Sequence, residues 1–312
     1  GSPTPETMDK YVKIPVVSVS YADGQALKAK AAGKPEAVMS TEVWARWTMM
    51  PCLVADIPGR TDDFVIMTSH IDSWWLGAFD NASGNAAGIE VARILAPHKD
   101  KLVRGVRFIN WSGHSQGRYA GSAQYCDFHF EELSEHCVLN VNADCLGGKG
   151  ATVMTYSPSM ACNKGLAMTA LSEAAGVTGY EGHRYSRSCD MSFWGPGVPA
   201  MYCQVSEQPP VKGAAADAFS ALFGGESKTG GFGYWWHTKE DTIDKVDPDV
   251  LARDVKVFVS TVWHACADET LPLSAAAEAA ELVADIEAWD AMAAGAGRPV
   301  DLGLAKARAA EL

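Results

Sequence analysis

The residues best suited to chemistry lie in the segment Thr68–Leu95, which reads TSHIDSWWLGAFDNASGNAAGIEVARIL. It contains a His-x-Asp triplet, His70 to Asp72, directly after the short apolar run Phe64–Ser69. Such a run is typical of a buried strand, and residues two apart leave a strand on the same side. We therefore expect the Asp72 carboxylate to orient the imidazole of His70, as carboxylates do beside metal-ligating histidines.

Three further residues offer metal ligands at similar places. Asp80 stands in a glycine-containing loop just before a helical pattern, where helix-terminal amides stabilise a carboxylate that could bridge two cations. Asp144 follows a strand-like run, and His237 stands in a loop before a long helical pattern. Together with His70 they form the nitrogen and oxygen ligand set of zinc or a similar divalent ion. Taken alone, Asp80 is better explained as a helix cap and His70 as a core histidine.

Five motifs follow one another in an order that resembles zinc aminopeptidases with paired metals, whose relatives include glutamate carboxypeptidases and glutaminyl cyclases. They are HIDS at His70, DNASG at Asp80, the strand-end Asp144, SCDMSFWGPGVPAMY at 188–202 and HTKEDTIDKVD from His237. The resemblance implies an α/β, three-layer fold with a central, twisted, mostly parallel sheet flanked by helices. It also implies that His70, Asp80 and Asp144 hold one zinc ion, and that Asp80 bridges to a second ion held by His237.

The sequence departs from that family just after the strand-like run Val106–Trp111. There the family carries two adjacent glutamates, the first a general base and the second a metal ligand, whereas this chain has His114 and Ser115. A serine hydroxyl is a poor ligand, so the second metal position is weakened, empty or rebuilt with His114 as a ligand. Alternatively His114 is the base, because an imidazole near its reference pKa of about 6.5 accepts a proton at neutral pH.

The same positions also fit a serine hydrolase. The segment Gly113–Gly117, GHSQG, matches the G-x-S-x-G pattern between a strand-like and a helical segment, with Ser115 as the nucleophile. Asp144 or Asp190, followed by His237, would complete the order Ser, Asp, His. However, no HGGG-like oxyanion loop precedes the motif, and a serine mechanism leaves HIDS and DNASG without a role. A third alternative is a non-catalytic binding protein that kept the scaffold.

Aromatic and charged residues near the ligand motifs indicate what the site binds. Trp74, Trp75 and Trp236 adjoin the ligand motifs in loops, which favours a substrate with an apolar or aromatic group. Asp190 is a further candidate for contacting the substrate, and Arg118 is a candidate for anchoring a carboxylate. We therefore predict metal-assisted hydrolysis of an amide-type bond in a small peptide or amide. The absence of both glutamates favours a specialised substrate.

Strand-like runs recur along the chain between helical patterns, which is typical of an α/β layered sheet. They are Val43–Val54, Phe64–Ser69, Val106–Trp111, Val138–Ala143, Ala151–Tyr156 and Pro199–Gln204. Residues 1–40 resemble the end of a protease-associated domain, 41–270 form the predicted metallohydrolase domain, and 271–312 an alanine-rich helical extension. Leu282, Ile286 and Trp289 would share one face of this extension. That face would dock on the core or on a second copy, which leaves a homo-oligomer open.

Composition excludes some partners of this chain of 312 residues. Its net charge of −12 argues against nucleic acid, because phosphate binding needs a concentrated basic surface. No apolar run approaches the roughly 20 residues that span a bilayer, so a membrane partner is not expected. The eight cysteines lie in apolar segments without C-x-x-C spacing, which predicts buried, reduced thiols and hence a cytoplasmic location.

Overall fold

The computed structural model describes residues 14–42, 49–115, 117–184, 191–210, 213, 228–298 and 300–311. The chain divides into two compact units, residues 1–49 and 50–312. In the first unit, helix α1 (Tyr21–Ala31) is capped by Ser20, whose Oγ accepts a hydrogen bond from the N–H of Asp23 at 3.1 Å. None of the residues of α1 is buried.

The second unit is built on a five-stranded sheet with the strand order β1-β3-β2-β4-β5. The edge strand β1 (Cys52–Ile57) is antiparallel to β3 (Gly105–Trp111). The other pairings are parallel and join β3, β2 (Phe64–His70), β4 (Cys137–Asn142) and β5 (Ala200–Met201). Every residue of the central strand β2 is buried, as expected where layers cover both faces of a parallel sheet.

Helices form a layer on each face of this sheet. Alternate residues of β2 face opposite sides, so Val65 and Met67 belong to one apolar cluster, and Phe64 and Ile66 to another. The first cluster includes residues of α2 (Ser83–Leu95), α5 (Lys164–Ala175) and α6 (Pro248–Ala267). The second cluster includes residues of α3 (Ala120–Phe128) and α4 (Phe130–His136). The predicted three-layer α/β fold is thus confirmed.

One predicted strand is absent, and two others have different bounds in the structure. Ala151–Tyr156 is not a strand, because the N–H groups of both Thr152 and Val153 bond to the carbonyl of Glu207, so no regular ladder continues. The run Pro199–Gln204 forms only the two-residue strand β5. The first predicted strand, Val43–Val54, falls partly on residues 43–48, which lie outside the described residues, and β1 begins later than predicted.

The C-terminal segment forms helices α7 (Ala275–Gly295) and α8 (Gly303–Ala310). The first turn of α7 is attached to the core, because the N–H of Ser274 donates to the carbonyl of Cys162 at 2.8 Å. Of the predicted buried face, Ile286 is 5% exposed, whereas Leu282 and Trp289 are 40% and 56% exposed. Trp289 is therefore not covered within the described part of this chain, and docking of its face on a second copy stays a prediction.

The cysteines are mostly buried, as predicted. Six of the described ones are buried and Cys52 is exposed, because it lies on the edge strand β1. Cys189 lies outside the described residues. In the described part of the chain, no helix combines the length and apolarity needed to cross a membrane.

Candidate metal centre

The predicted ligands meet where the parallel strands end. His70 is the last residue of β2 and pairs in register with Trp111, the last residue of β3. Strand β4 ends at Asn142, two residues before Asp144. Because these neighbouring strands run in the same direction, their carboxyl ends deliver side chains to one edge of the sheet, where α/β proteins place their ligands.

Asp80 lies between two histidines and points one oxygen at each. Nε2 of His70 is 3.1 Å from Oδ1 of Asp80 and 3.4 Å from Oδ2 of Asp144. Nε2 of His237 is 3.1 Å from Oδ2 of Asp80. His70, Asp80 and Asp144 are buried, whereas the side chain of His237 is 37% exposed. The structure thus brings together all four ligands expected from the sequence.

The atoms at this centre suit a divalent cation. Nδ1 of His70 donates to the backbone carbonyl of Asp72 at 2.8 Å, so in a neutral ring Nε2 carries the lone pair. This Nε2 is buried and makes no regular hydrogen bond with any described residue. A lone pair that faces two carboxylates is repulsive unless a cation or a proton lies between them. Ligands of a tetrahedral zinc ion with bonds of about 2.0 Å lie about 3.3 Å apart, close to the 3.1 and 3.4 Å that separate Nε2 of His70 from oxygens of Asp80 and Asp144.

The electrostatic balance keeps the Asp80 carboxylate ionised. Burial raises its pKa, but the contacts with His237 and His70 outweigh burial and hold the pKa well below its usual range. Burial lowers the pKa of His70, yet the charge of Asp144 and the close contacts with the carboxylates of Asp144, Asp72 and Asp80 raise it well above the usual value. Positive charge is therefore favoured between these side chains.

Asp72 contributes through two different groups. Its backbone carbonyl orients His70, whereas its carboxylate Oδ1 is 3.6 Å from Nδ1 of His70. The carboxylate instead accepts hydrogen bonds from the backbone N–H groups of His114 at 3.2 Å and Ser115 at 2.8 Å. The sequence predicted that the Asp72 carboxylate orients His70, whereas in the structure the Asp72 backbone carbonyl does so. The carboxylate fixes the loop after β3.

His114 lies directly against the ligand His70. The two rings are parallel within 4°, with centroids 3.8 Å apart, and Nε2 of His114 is 3.9 Å from Oδ2 of Asp144. Burial, followed by the charge of His70, lowers the pKa of His114 to about 4. Its ring is therefore neutral at pH 7, and its buried Nδ1 has no hydrogen-bond partner among the described residues.

Ser115 does not have the surroundings of an activated nucleophile. Its Oγ is buried and no described residue forms a hydrogen bond with it. Its proposed base, His237, is instead in contact with Asp80. A serine nucleophile requires a base within hydrogen-bond reach, and the described part of the chain provides none for Ser115. Gln116 of the same motif and Asp190 lie outside the described residues.

Asp241 is a site residue that the sequence reasoning missed. Its carboxylate accepts hydrogen bonds from the N–H groups of Phe79 at 2.7 Å and Asp80 at 2.9 Å. It stands four residues after His237 in the HTKED motif, so one carboxylate connects the loop of His237 with the loop of Asp80. The signal available in the sequence was the position of Asp241 in the HTKED motif, which already contained the candidate ligand His237.

Helix α2 lies very close to the chain just after strand β4, next to the candidate ligands Asp80 and Asp144. Asn81 donates from Nδ2 to the carbonyl of Ala143, and its Oδ1 accepts from the N–H of Gly84, both at 3.0 Å. A Cβ at Gly84 would lie 2.2 Å from Oδ1 of Asn81 and 2.3 Å from the carbonyl oxygen of Ala143. Glycine is therefore required where the Asp80 loop meets the strand that leads to Asp144.

Aromatic side chains flank the exposed side of the centre. Trp74 is 46% exposed, with its ring centroid 5.2 Å from that of His237. Trp236 stacks on His237 at 3.6 Å, and Trp75 is exposed. The guanidinium of the exposed Arg118 lies 5.6 Å from the ring centroid of Tyr119, and this ring packs against His114. The predicted aromatic residues Trp74 and Trp236 therefore lie beside the candidate ligand His237.

Comparisons with known proteins agree with this geometry. In sequence, the chain is 25% identical to aminopeptidase YwaD of Bacillus subtilis (strain 168), over 86% of this chain and 55% of that protein. It is 33% identical to the probable glutamate carboxypeptidase VP8 of Zea mays, over 27% of this chain and 12% of that protein. The chain thus spans about half the length of the first of these curated relatives.

Solved structures show the same fold. The aminopeptidase from Aneurinibacillus sp. strain AM-1 superposes with a TM-score of 0.54 at 24% identity, over 70% of this chain and 49% of that one. A glutaminyl cyclase of an Acidobacteriales bacterium gives 0.51 at 19% identity, over 68% of this chain and 72% of that one. The model of peptidase family M28 matches residues 53–262. The resemblance read from the motifs is thereby confirmed, and the chain belongs to peptidase family M28.

Proposed function

We propose that this protein is a zinc-dependent hydrolase of peptide or amide bonds, with aminopeptidase-like activity on a small substrate. The observation that carries the proposal is the meeting of His70, Asp80 and Asp144 around one buried ring nitrogen. The choice of zinc is supported by this donor set and by the structural similarity to a zinc aminopeptidase from Bacillus subtilis, with a TM-score of 0.53.

The residues around the centre have separate tasks in this proposal. His70, Asp80 and Asp144 would hold the ion, which supplies a Lewis acid and lowers the pKa of water. Asp72 orients His70 through its carbonyl and fixes the His114 loop through its carboxylate. His114 is assigned the role of proton acceptor, because its ring lies against His70 and one nitrogen of a neutral imidazole accepts a proton.

The surroundings favour a specialised substrate with an apolar group. Trp74 and Trp236 contact His237 at the exposed side, where an aromatic or aliphatic side chain of a substrate would be covered. Arg118 is exposed near Tyr119 and His114, and would anchor a substrate carboxylate. Since the two family glutamates are replaced, ordinary peptides are expected to be poorer substrates than a compound that uses these contacts.

A panel of aminoacyl 4-nitroanilides, dipeptides and simple amides tests the proposal. We expect hydrolysis that a chelator abolishes and added zinc restores, and that a serine-reactive fluorophosphonate leaves unchanged. The Ser115→Ala variant should retain this activity. If hydrolysis survives chelation but is lost in Ser115→Ala or after the fluorophosphonate, the protein is a serine hydrolase. If zinc binds and no substrate of the panel is cleaved, the proposal of a hydrolase gives way to that of a binding protein.

A further inference from the structure

We propose that the metal centre of this chain binds one cation rather than a pair. His70, Asp80 and Asp144 are its protein ligands, and His237 is a positioning residue that holds Asp80. The inference rests on the proposed function, because it concerns the same site. It departs from the paired-metal pattern that the motifs imply.

The donors are distributed unequally on the two sides of Asp80. On the Oδ1 side, Nε2 of His70 lies within 3.4 Å of oxygens from both Asp80 and Asp144, which makes three protein ligands. On the Oδ2 side, the contact is Nε2 of His237 at 3.1 Å. Catalytic zinc sites keep three protein ligands and an open position, so the Oδ1 side alone meets this requirement.

Further metal-ligating groups lie on the Asp144 side. In the described part of the chain, two sets of three such residues have ligand atoms within 4.8 Å of one another. These sets are His70 with His114 and Asp144, and Asp80 with Asp144 and Cys145. Neither set includes His237. Asp144 belongs to both sets, His70 to one and Asp80 to the other, and His70 and Asp80 are joined by their own contact at 3.1 Å. The second position is therefore left with Asp80 and His237, and the side chain of His237 is 37% exposed to competing water.

His114 does not rebuild the second position. Its ring stacks on that of His70, with the centroids 3.8 Å apart and the planes parallel within 4°, and its ligand atoms lie close to those of His70 and Asp144 rather than to His237. Its nearest carboxylate contact is Asp144, at 3.9 Å, and not Asp80. His114 therefore stays beside the single cation as a proton acceptor, and adds no ligand next to His237.

Ser115 explains why the second position lacks a ligand. It stands where the resembled family carries a metal-ligating glutamate, so one negative charge and one strong donor are missing. His237 then acts as a positioning residue instead of a ligand, through the 3.1 Å contact of its Nε2 with Oδ2 of Asp80. An outer contact of this kind orients a ligand carboxylate and is worth about 10–100-fold in metal affinity.

Metal stoichiometry tests the inference without using activity. The purified chain is saturated with zinc, freed of weakly held ions on a desalting column and measured by plasma mass spectrometry, with calorimetric titration in parallel. We expect one zinc ion per chain. Two ions per chain would overturn the inference and leave the proposed function intact. A protein that binds none would overturn the proposed function itself.

Three variants sharpen this test. Ser115→Glu restores the missing carboxylate and should raise the count from one ion to two, whereas Ser115→Gln, of equal length but uncharged, should stay at one. His237→Ala should keep one ion with about 10–100-fold weaker affinity. Loss of the only ion in His237→Ala would contradict its positioning role. Thermal melting identifies variants that fold, and a folded Ser115→Glu protein with one ion would contradict the assignment of position 115.

Discussion

Replacing Gly84 by alanine should damage the metal centre without touching a ligand. The added methyl group would lie 2.2 Å from Oδ1 of Asn81 and 2.3 Å from the carbonyl oxygen of Ala143. Neither atom can move away without loss of hydrogen bonds, because the Asn81 side chain is bonded to Ala143 and Gly84 at 3.0 Å each. Helix α2 must therefore move away from the end of β4, and the spacing between Asp80 and Asp144 changes with it.

The expected cost follows from these contacts. Overpacking of a buried site costs about 1–3 kcal/mol, and each of the two hydrogen bonds of Asn81 contributes about 0.5–1.5 kcal/mol. The higher helix propensity of alanine returns up to about 1 kcal/mol. Together these contributions span about 1–6 kcal/mol, and we expect Gly84→Ala to lower the free energy of unfolding by an amount near the middle of that range, about 2–4 kcal/mol. Zinc binding should weaken by about 10-fold or more.

Urea unfolding and calorimetric zinc titration measure both effects. Gly88→Ala is the matched control, because Gly88 lies in the same helix and a Cβ there would meet only Cδ1 of Phe108, at 4.0 Å. The control should be as stable as the wild type or more stable by up to about 1 kcal/mol. If Gly84→Ala matched Gly88→Ala in stability and zinc affinity, the close approach would not set the ligand spacing.

Three further substitutions give measurable results. Asp241→Asn should lower the free energy of unfolding, measured in urea, by about 1–3 kcal/mol. The reason is that the two backbone N–H groups of Phe79 and Asp80 donate to the two carboxylate oxygens, and asparagine keeps only one of these acceptors. Burial lowers the pKa of His264, but Asp268 and Glu173 outweigh burial and raise it. Stability from His264 is therefore complete below about pH 6.5 and lost as pH rises through the folded-state pKa. Urea unfolding of wild type and His264→Gln should differ more near pH 6 than near pH 9. Trp74→Ala should raise KM for phenylalanyl substrates about 10-fold, with little change for alanyl ones.

Much of the fold could be predicted because the strand at the centre of the sheet has a clear pattern in the sequence. The central strand β2 is buried along its whole length, begins with the apolar run Phe64–Met67 and ends in the candidate ligand His70. By contrast, Ala151–Tyr156 has the composition of a strand, but two of its N–H groups share the carbonyl of Glu207. Hydrogen-bond partners of this kind are set by tertiary contacts, which local propensity does not record.

The candidate residues of the site were predictable from the sequence, but most of the contacts that position them were not. His70, Asp80, Asp144 and His237 carry chemistry in their residue type and stand at strand ends or loops. The contact of Asp241 with the Asp80 loop joins segments about 160 positions apart. No spacing rule reports such a contact. Asp72 likewise orients His70 through its carbonyl, because its carboxylate is bonded to the loop after β3. The position of that loop is a tertiary feature that the sequence does not show.

Anomalous diffraction at the zinc edge, from crystals of the zinc-loaded protein, tests the central claim most directly. We expect an anomalous peak that marks one zinc ion, about 2.0–2.2 Å from Nε2 of His70 and from carboxylate oxygens of Asp80 and Asp144. A zinc-loaded crystal whose anomalous peak lies elsewhere, with these three side chains bound to no common ion, would contradict the account.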